Sequence, residues 1–128
     1  MSRMEEQWAF LQDVAVLIQY IRDVGYKAVG GELMRSREEQ QRKYDTGVSK
    51  ALPGESMHQF LRAIDIEFFD HSGKWIKMPT NDEAKKELKE KLQPFGDFWE
   101  ALNSRNRWGG NFHSLFDFNH FERGNDEK

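Results

Sequence analysis

The stretch AIDIEFF, from Ala63 to Phe69, decides the fold because its side chains alternate between two faces. Alternation of apolar and polar residues with a period of two is typical of a β-strand that covers a core on one side. The predicted strand therefore has a core face and an outer face, and Asp65 lies on the outer one. The predicted core-facing residues are Ile64, Ile66 and Phe68, and the outer face also carries Ala63, Glu67 and Phe69.

Upstream of this strand, Glu5 to Val24 is predicted to be an amphipathic helix that stops at Gly25. A short extended piece follows at Tyr26 to Leu33, and a capping-box pattern then predicts a second helix that begins at Ser36. The apolar residues of the first helix recur at helical spacing, and we expect them to face the core. They are Trp8, Leu11, Ala15, Ile18 and Ile21.

Downstream of the strand, Lys74 to Lys77 is expected to return as a paired strand after a turn. Thr80 is predicted to cap a helix through a capping box. Pro94 and Gly96 are expected to break that helix before a short aromatic helix, Asp97 to Leu102.

The aromatic tail, Trp108 to Glu122, is expected to end as a strand, and the residues from Arg123 onward are expected to be frayed. These elements predict the α+β class, with a small antiparallel sheet flanked by helices. The length predicts one domain that spans residues 1–128.

The composition describes a chain of 128 residues with a net charge of −3 and no cysteine. Its acidic balance lacks the basic excess of a dedicated nucleic-acid binder, so nucleic acid is not an expected partner. The absence of cysteine excludes disulfides and leaves His, Asp and Glu as metal ligands. The first residues do not read as a signal peptide, and no apolar run is long enough to span a membrane. We therefore expect a protein that is made in the cytosol and is not inserted into a membrane.

Two short segments carry candidate chemistry: SMHQFLRAID, which ends at Asp65, and DFNH, which ends at His120. Together they offer His58, Asp65 and His120 as a two-histidine, one-carboxylate zinc site. Zinc with three protein ligands and an open fourth position is a catalytic arrangement. Asp117 precedes the last ligand by three residues, where a general base can act. The alternative is a surface histidine at His58 and an ion-paired acid at Asp65.

These segments resemble the zinc-dependent peptidoglycan peptidases of the D-Ala-D-Ala carboxypeptidase and L-alanyl-D-glutamate endopeptidase family, which includes phage endolysins. The resemblance covers about Leu33 to Glu122, and the order and combination of its motifs make it specific. The family pattern S-x-H-x-x-G-x-A-x-D is matched by Ser56, His58, Ala63 and Asp65. A later W-G-G-x-F and D-x-x-H-F-E are matched by Trp108, Gly109, Gly110, Phe112, Asp117, His120, Phe121 and Glu122. An upstream R-S-x-x-E-Q is matched by Arg35, Ser36, Glu39 and Gln40.

The resemblance implies a fold like that of Hedgehog and D,D-peptidase domains, and it implies a zinc metallopeptidase. His58, Asp65 and His120 would hold Zn²⁺, the implied cofactor. Asp117 would take a proton from the attacking water and pass it to the leaving amine. Its alternative role is that of a structural acid that orients a histidine.

The resemblance also implies two substrate-binding residues. Arg35 would bind a substrate carboxylate, because a guanidinium matches that planar group with two hydrogen bonds. Ser56 would donate a hydrogen bond to the substrate. The chain departs from the family pattern at Leu61, which stands where the family has glycine, so the backbone after His58 is expected to follow another path.

With an aspartate in D-x-x-H-F-E and no signal peptide, the chain resembles the endolysin branch of the family. The carboxypeptidase and dipeptidase branch more often carries a glutamate base. This implies a monomeric phage or prophage enzyme that cuts the L-Ala to D-Glu bond of peptidoglycan stem peptides. It would be made in the cytoplasm and act on the cell wall after release. Two alternatives stay open: a D-alanyl-D-alanine carboxypeptidase or dipeptidase, and a non-catalytic zinc-bearing virion or binding module.

Three further polar residues are not predicted to be metal ligands. His113 lies seven residues before His120, but the family pattern leaves it out. His71 is expected in an exposed turn. Glu67 shares the outer strand face with Asp65. It is a candidate to hydrogen-bond a metal ligand without binding the metal itself.

Overall fold

A computed structural model describes residues 2–30, 62–113 and 115–125 of the chain. Within these ranges the strands form an antiparallel sheet in the order β1-β2-β4-β3, and two helices pack on one face of it. The elements in chain order are α1 (Arg3–Asp23), β1 (Lys27–Gly30), β2 (Ala63–Phe69), α2 (Asp82–Leu102), β3 (Asn106–Trp108), a 3₁₀ turn (Gly109–Asn111) and β4 (His120–Arg123).

Helix α1 begins and ends at local sequence signals. The Ser2 hydroxyl accepts from the Glu5 N–H at 3.2 Å, and the Glu5 carboxylate accepts from the Ser2 N–H at 2.7 Å, which makes a capping box. Gly25 follows the helix with a φ of +90°, a backbone conformation that glycine adopts at little cost. The predicted helix is therefore confirmed, and so is its stop.

The predicted core face of α1 is wrong except at Ile21. Phe10, at 0% exposure, packs edge-on against Trp99, whereas Trp8 is 63% exposed. Two apolar stripes share the same helical period in this segment, so periodicity alone does not tell which one faces the sheet. The buried stripe consists of Phe10, Val14, Leu17 and Ile21, and the exposed one includes Trp8, Leu11, Ala15 and Ile18.

Strand β2 has the predicted bounds and the predicted orientation. Its buried side chains include Ile66 and Phe68, which join the core, and Asp65 points to the other face. The predicted return strand at Lys74 to Lys77 is reduced to an isolated bridge between Phe69 and Trp75. The turn between them is held by the Asp70 carboxylate, which accepts hydrogen bonds from the residues that follow it.

Helix α2 runs without interruption from Asp82 to Leu102, so two predictions about it are wrong. Asn81 caps it instead of Thr80, because its side chain accepts from the Ala84 N–H at 2.8 Å. Pro94 lies inside the helix and Gly96 does not end it. A Cβ on Gly96 would collide with the Trp108 ring, so this glycine serves helix–strand packing.

Residues 123–125 are more ordered than predicted. β4 confirms the predicted terminal strand, and β3 adds a strand that the pattern did not predict. Arg123 is buried in β4 instead of frayed. Its guanidinium pairs with Asp13 of α1, and its Nε–H donates to the Asn106 side-chain oxygen at 2.9 Å. This long-range ion pair ties the last strand to the first helix.

The helices and the antiparallel sheet of the described residues confirm the α+β class. In those ranges, neither helix has the combination of length and apolarity that crossing a membrane requires. The helix predicted from Ser36 lies outside the described residues, as does the end of the extended piece after Gly30. The single-domain assignment stays a prediction.

Candidate metal centre

The sheet brings Asp65 and His120 together although they are far apart in sequence. In the antiparallel pairing of β2 with β4, Asp65 is the direct partner of His120. Directly opposed residues of an antiparallel pair project from the same face, so both side chains lie on the face away from the helices. The His120 Nδ1 is 3.3 Å from the Asp65 Oδ1. Two of the three predicted metal ligands therefore form one cluster.

A second carboxylate holds the other ring nitrogen of His120. The His120 Nε2 lies 2.6 Å from the Glu122 Oε1. Glu122 follows His120 by two residues on the same strand, so both point to the same face. It lies opposite Ala63, whose small side chain leaves room for the contact. The imidazole is thus clamped between Asp65 and Glu122.

The electrostatics of this cluster favour a positive charge at the imidazole. Burial lowers the pKa of His120, but hydrogen bonds to Asp65 and Glu122 and the negative charge of both carboxylates outweigh it and raise the pKa to about 10. The cluster therefore stabilises a cation in a largely buried position. A metal ion supplies such a charge when the imidazole is neutral.

Asp117 is positioned by its backbone between the 3₁₀ turn and β4. Its N–H donates to the Gly109 carbonyl at 3.0 Å, and its carbonyl accepts from the His120 N–H at 3.1 Å. A Cβ on Gly109 would collide with the Asp117 carbonyl oxygen. Glycine at this position is thus what lets the two backbone segments meet, and the predicted base is fixed relative to His120.

The W-G-G motif builds the support of this loop. Trp108 is 1% exposed, and its indole N–H donates to the Phe118 carbonyl at 2.8 Å. A Cβ on Gly110 would collide with the same indole ring. The ring is therefore packed between the turn and helix α2, and it anchors the segment that carries Asp117 and His120.

The donor set fits zinc, which binds imidazole nitrogen and carboxylate oxygen. Among the described residues, no group of three such side chains is arranged to hold a metal ion. The third predicted ligand, His58, lies outside the described residues, as do Arg35 and Ser56.

Glu122 is part of the D-x-x-H-F-E motif, but the motif did not predict a role for it. The period of two along β4 was the signal that places it beside His120. Glu67 takes another partner, since its Oε2 accepts from the Trp75 indole N–H at 3.0 Å. His71 and His113 are both exposed, which confirms the expectation for His71.

Comparisons with known proteins agree with the motifs. The sequence profile of the family described as D-alanyl-D-alanine carboxypeptidase matches residues 50–123, a span that contains both metal segments and ends with β4. No curated protein matches the chain.

Solved structures with a similar fold include the L-Ala D-Glu endopeptidase ChiX of Serratia marcescens. That structure has a TM-score of 0.59 and 17% sequence identity over 90% of this chain and 77% of ChiX. Another is a variant of the vancomycin resistance D,D-pentapeptidase VanY from a VanB-type resistance cassette, in complex with Zn(II). Its TM-score is 0.49, with 17% identity over 89% of this chain and 70% of VanY. The likeness to ChiX supports the α+β fold.

Proposed function

The chain belongs to the D-alanyl-D-alanine carboxypeptidase family of zinc peptidases, which act on peptidoglycan, and we propose that it cleaves stem peptides between L-Ala and D-Glu. The observation that carries the proposal is the pairing of Asp65 with His120 across β2 and β4. It joins the two matched motifs in space, on the face of the sheet away from the helices. A zinc peptidase needs such convergence of distant ligands on rigid strands.

In this proposal His58, Asp65 and His120 hold the metal. Zinc, when bound, lowers the pKa of water and polarises a carbonyl. Glu122 keeps the proton on the Nε2 of His120, so that Nδ1, the nitrogen nearest Asp65, is the one free to be a ligand.

Asp117 is the proposed general base. Its backbone bonds to Gly109 and to His120 hold it at the start of β4. A carboxylate there can take the proton of the attacking water and return it to the leaving amine. Arg35 and Ser56 are the proposed substrate-binding residues, Arg35 for the carboxylate of D-Glu.

The endopeptidase assignment rests on the aspartate of the D-x-x-H-F-E motif. The proposed setting is a phage or prophage endolysin that is made in the cytoplasm, acts as a monomer and reaches the cell wall after release. The fold likeness to ChiX is compatible with this choice, and the sequence resemblance supports it. A second candidate is a D-alanyl-D-alanine carboxypeptidase, which the description of the matching family favours.

Digestion of purified peptidoglycan, with mass analysis of the products, tests the proposal. We expect peptides that begin with D-Glu, glycan strands that keep L-Ala, and no release in the presence of a chelator. Release of free D-Ala with intact cross-links would instead establish the carboxypeptidase. No release of any product by the zinc-loaded protein would reject both enzymes and leave a non-catalytic module.

A further inference from the structure

Trp75 is an exposed aromatic residue whose ring is held in place. It is 46% exposed, whereas tryptophan is largely buried on average. Its indole N–H donates to the Glu67 Oε2 at 3.0 Å, and the Lys77 Nζ lies over its ring, 5.1 Å from the centroid. The ring is therefore fixed by a hydrogen bond and a cation–π contact while it keeps apolar surface open to solvent.

The backbone that carries Trp75 is also fixed. In the turn before it, the N–H and the hydroxyl of Ser72 both donate to the Asp70 carboxylate, at 2.9 and 2.6 Å. After it, the Ile76 N–H donates to the Phe68 carbonyl at 2.9 Å, and the Ile76 side chain joins the core. Trp75 is thus pre-positioned, so little conformational entropy is lost when a ligand stacks on it.

Trp75 lies on the same face of the sheet as the metal centre. It is the antiparallel bridge partner of Phe69, and directly opposed residues project from one face. Phe69 alternates in step with Glu67 and Asp65 along β2, so it shares their face, away from the helices. The neighbouring Ile76 packs in the core, as this alternation requires.

The Trp75 ring leans along β2 towards the metal centre. Its N–H reaches Glu67, which lies between Phe69 and Asp65 in the strand. Two residues of a strand span about 7 Å, so the contact with Glu67 is about 7 Å along β2 from Asp65. A group that stacks on Trp75 would therefore lie beside the peptide bond at the metal, and not in its place.

The proposed substrate carries a sugar ring at a matching distance. In peptidoglycan, a three-carbon lactyl linker joins L-Ala, the first residue of the stem peptide, to a sugar. One amino acid residue and this linker separate the L-Ala carbonyl from the ring, about 7 Å in an extended stem at about 3.5 Å each. The carbonyl that joins the two D-Ala residues lies three residues further on, about 10 Å more. In an extended stem, cleavage at L-Ala brings the sugar within reach of Trp75, and cleavage at D-Ala does not.

We propose that Trp75 is a sugar-binding platform beside the metal centre, and that it stacks on the sugar ring that carries the stem peptide. This inference rests on the proposed function, since it takes the L-Ala carbonyl as the group at the metal. The negative face of an aromatic ring attracts the C–H groups of a sugar, and stacking removes apolar surface from water. Glu67, which holds the indole N–H, is a positioning residue for Trp75. The platform would make the enzyme prefer stem peptides that are attached to glycan.

The test compares two substrates of the zinc-loaded protein. One is a stem peptide attached to its disaccharide, and the other is the same peptide with an acetyl group on the L-Ala nitrogen in place of the sugar. For the wild-type protein we expect kcat/KM to be about tenfold higher with the sugar, the effect of one good aromatic stacking contact. Trp75→Ala should bring the ratio of the two kcat/KM values close to one. Trp75→Phe keeps a ring and should retain part of the preference.

Trp8→Ala is the matched control for the loss of an exposed tryptophan. Trp8 is 63% exposed and belongs to α1, on the opposite side of the sheet from the metal centre. We expect this variant to keep the wild-type ratio. Equal losses of kcat/KM for both substrates in Trp75→Ala would overturn the proposal, because Trp75 would then contact the peptide itself or only support the fold.

Binding of N-acetylmuramoyl-L-alanine gives a readout that does not depend on cleavage. The indole N–H signal of Trp75 in NMR spectra, assigned by its loss in Trp75→Phe, should shift saturably, and the Trp8 signal should not. A shift at Trp75 without cleavage of either substrate would reject the proposed function and support the sugar site. Cleavage of both substrates at L-Ala with equal kcat/KM, and no shift at Trp75, would overturn the sugar site and leave the proposed function standing.

Discussion

His120 has a carboxylate partner at each ring nitrogen, and the two partners have different proposed tasks. In the proposed centre, Asp65 would share the metal with it, and Glu122 would fix which nitrogen carries the proton. A metal-ligating histidine typically donates its other N–H to a carboxylate or carbonyl, which sets ring orientation and ligand basicity. The 2.6 Å contact to Glu122 is of this kind.

We predict that Glu122→Gln lowers zinc affinity by about tenfold to a hundredfold, the range for loss of such an outer partner. Competition with a chelator of known affinity measures this. Glu67→Gln is the matched control, because its carboxylate accepts a hydrogen bond from the Trp75 indole and makes no contact with His120 in the described structure. Equal zinc affinity in Glu122→Gln and the wild-type protein would remove Glu122 from the metal centre.

Asp117 is expected to act on the proton and not on the metal. Asp117→Asn should keep its zinc and lose turnover by about a hundredfold or more, since it preserves shape and removes the proton acceptor. Peptidoglycan hydrolysis and metal content are measured on the same preparation. If the variant loses its metal and shows no separate rate defect, Asp117 is a ligand or an orienting residue.

Helix α1 contributes to the core through one of two competing apolar stripes. Phe10 contacts Trp99, which in turn packs edge-on against Phe121 of β4. These ring contacts connect α1, α2 and the sheet. The side of α1 that faces inward therefore determines how the helices cover the sheet. The other stripe, to which Trp8 belongs, is exposed in the described structure.

Phe10→Ala and Trp8→Ala test directly which side of α1 faces the sheet. We expect Phe10→Ala to lower the free energy of unfolding by about 3–5 kcal/mol, as for other buried phenylalanines. Trp8→Ala should change it by only about 0.5 kcal/mol, as for a surface position. Chemical denaturation of both variants gives the comparison. A larger loss for Trp8→Ala than for Phe10→Ala would show that the helix faces the sheet the other way.

The turn before β4 determines where the proposed base lies. Gly109→Ala places a Cβ against the Asp117 carbonyl, so the loop has to shift. We predict that turnover falls by about tenfold to a hundredfold, because a displacement of about 1 Å in a catalytic group has an effect of that size. Activity assays at saturating zinc measure this. Gly30→Ala is the control, since a Cβ there meets no atom of the described residues within 4 Å, and an equal loss in both would contradict the role of Gly109.

Local patterns predicted the parts of the fold that depend on local geometry. Strand alternation placed Asp65 on the outer face of β2, and the terminal strand placed His120 beside it. The same rule, applied two residues further, would have placed Glu122 at the site. Gly25 likewise ends α1 as predicted, whereas the Ser2 cap at its start was not predicted.

Other features depend on contacts between distant residues, which no local pattern contains. Gly96 reads as a helix stop, yet it makes room for Trp108 from another element. Arg123 reads as part of a frayed end, yet it pairs with Asp13 of α1. Strand β3 was not predicted, because it is short and forms by pairing with β4, which follows it in the chain.

In the proposed metal centre, the Asp65–His120 pair holds a zinc ion, with His58 as third ligand. Zinc content and affinity, measured on the wild-type protein and on Asp65→Asn, test it most directly. We predict one zinc per chain in the wild-type protein and in Asp117→Asn, and loss of zinc in Asp65→Asn, which keeps the shape of the side chain but removes its charge. Full zinc occupancy at unchanged affinity in Asp65→Asn would contradict the claim.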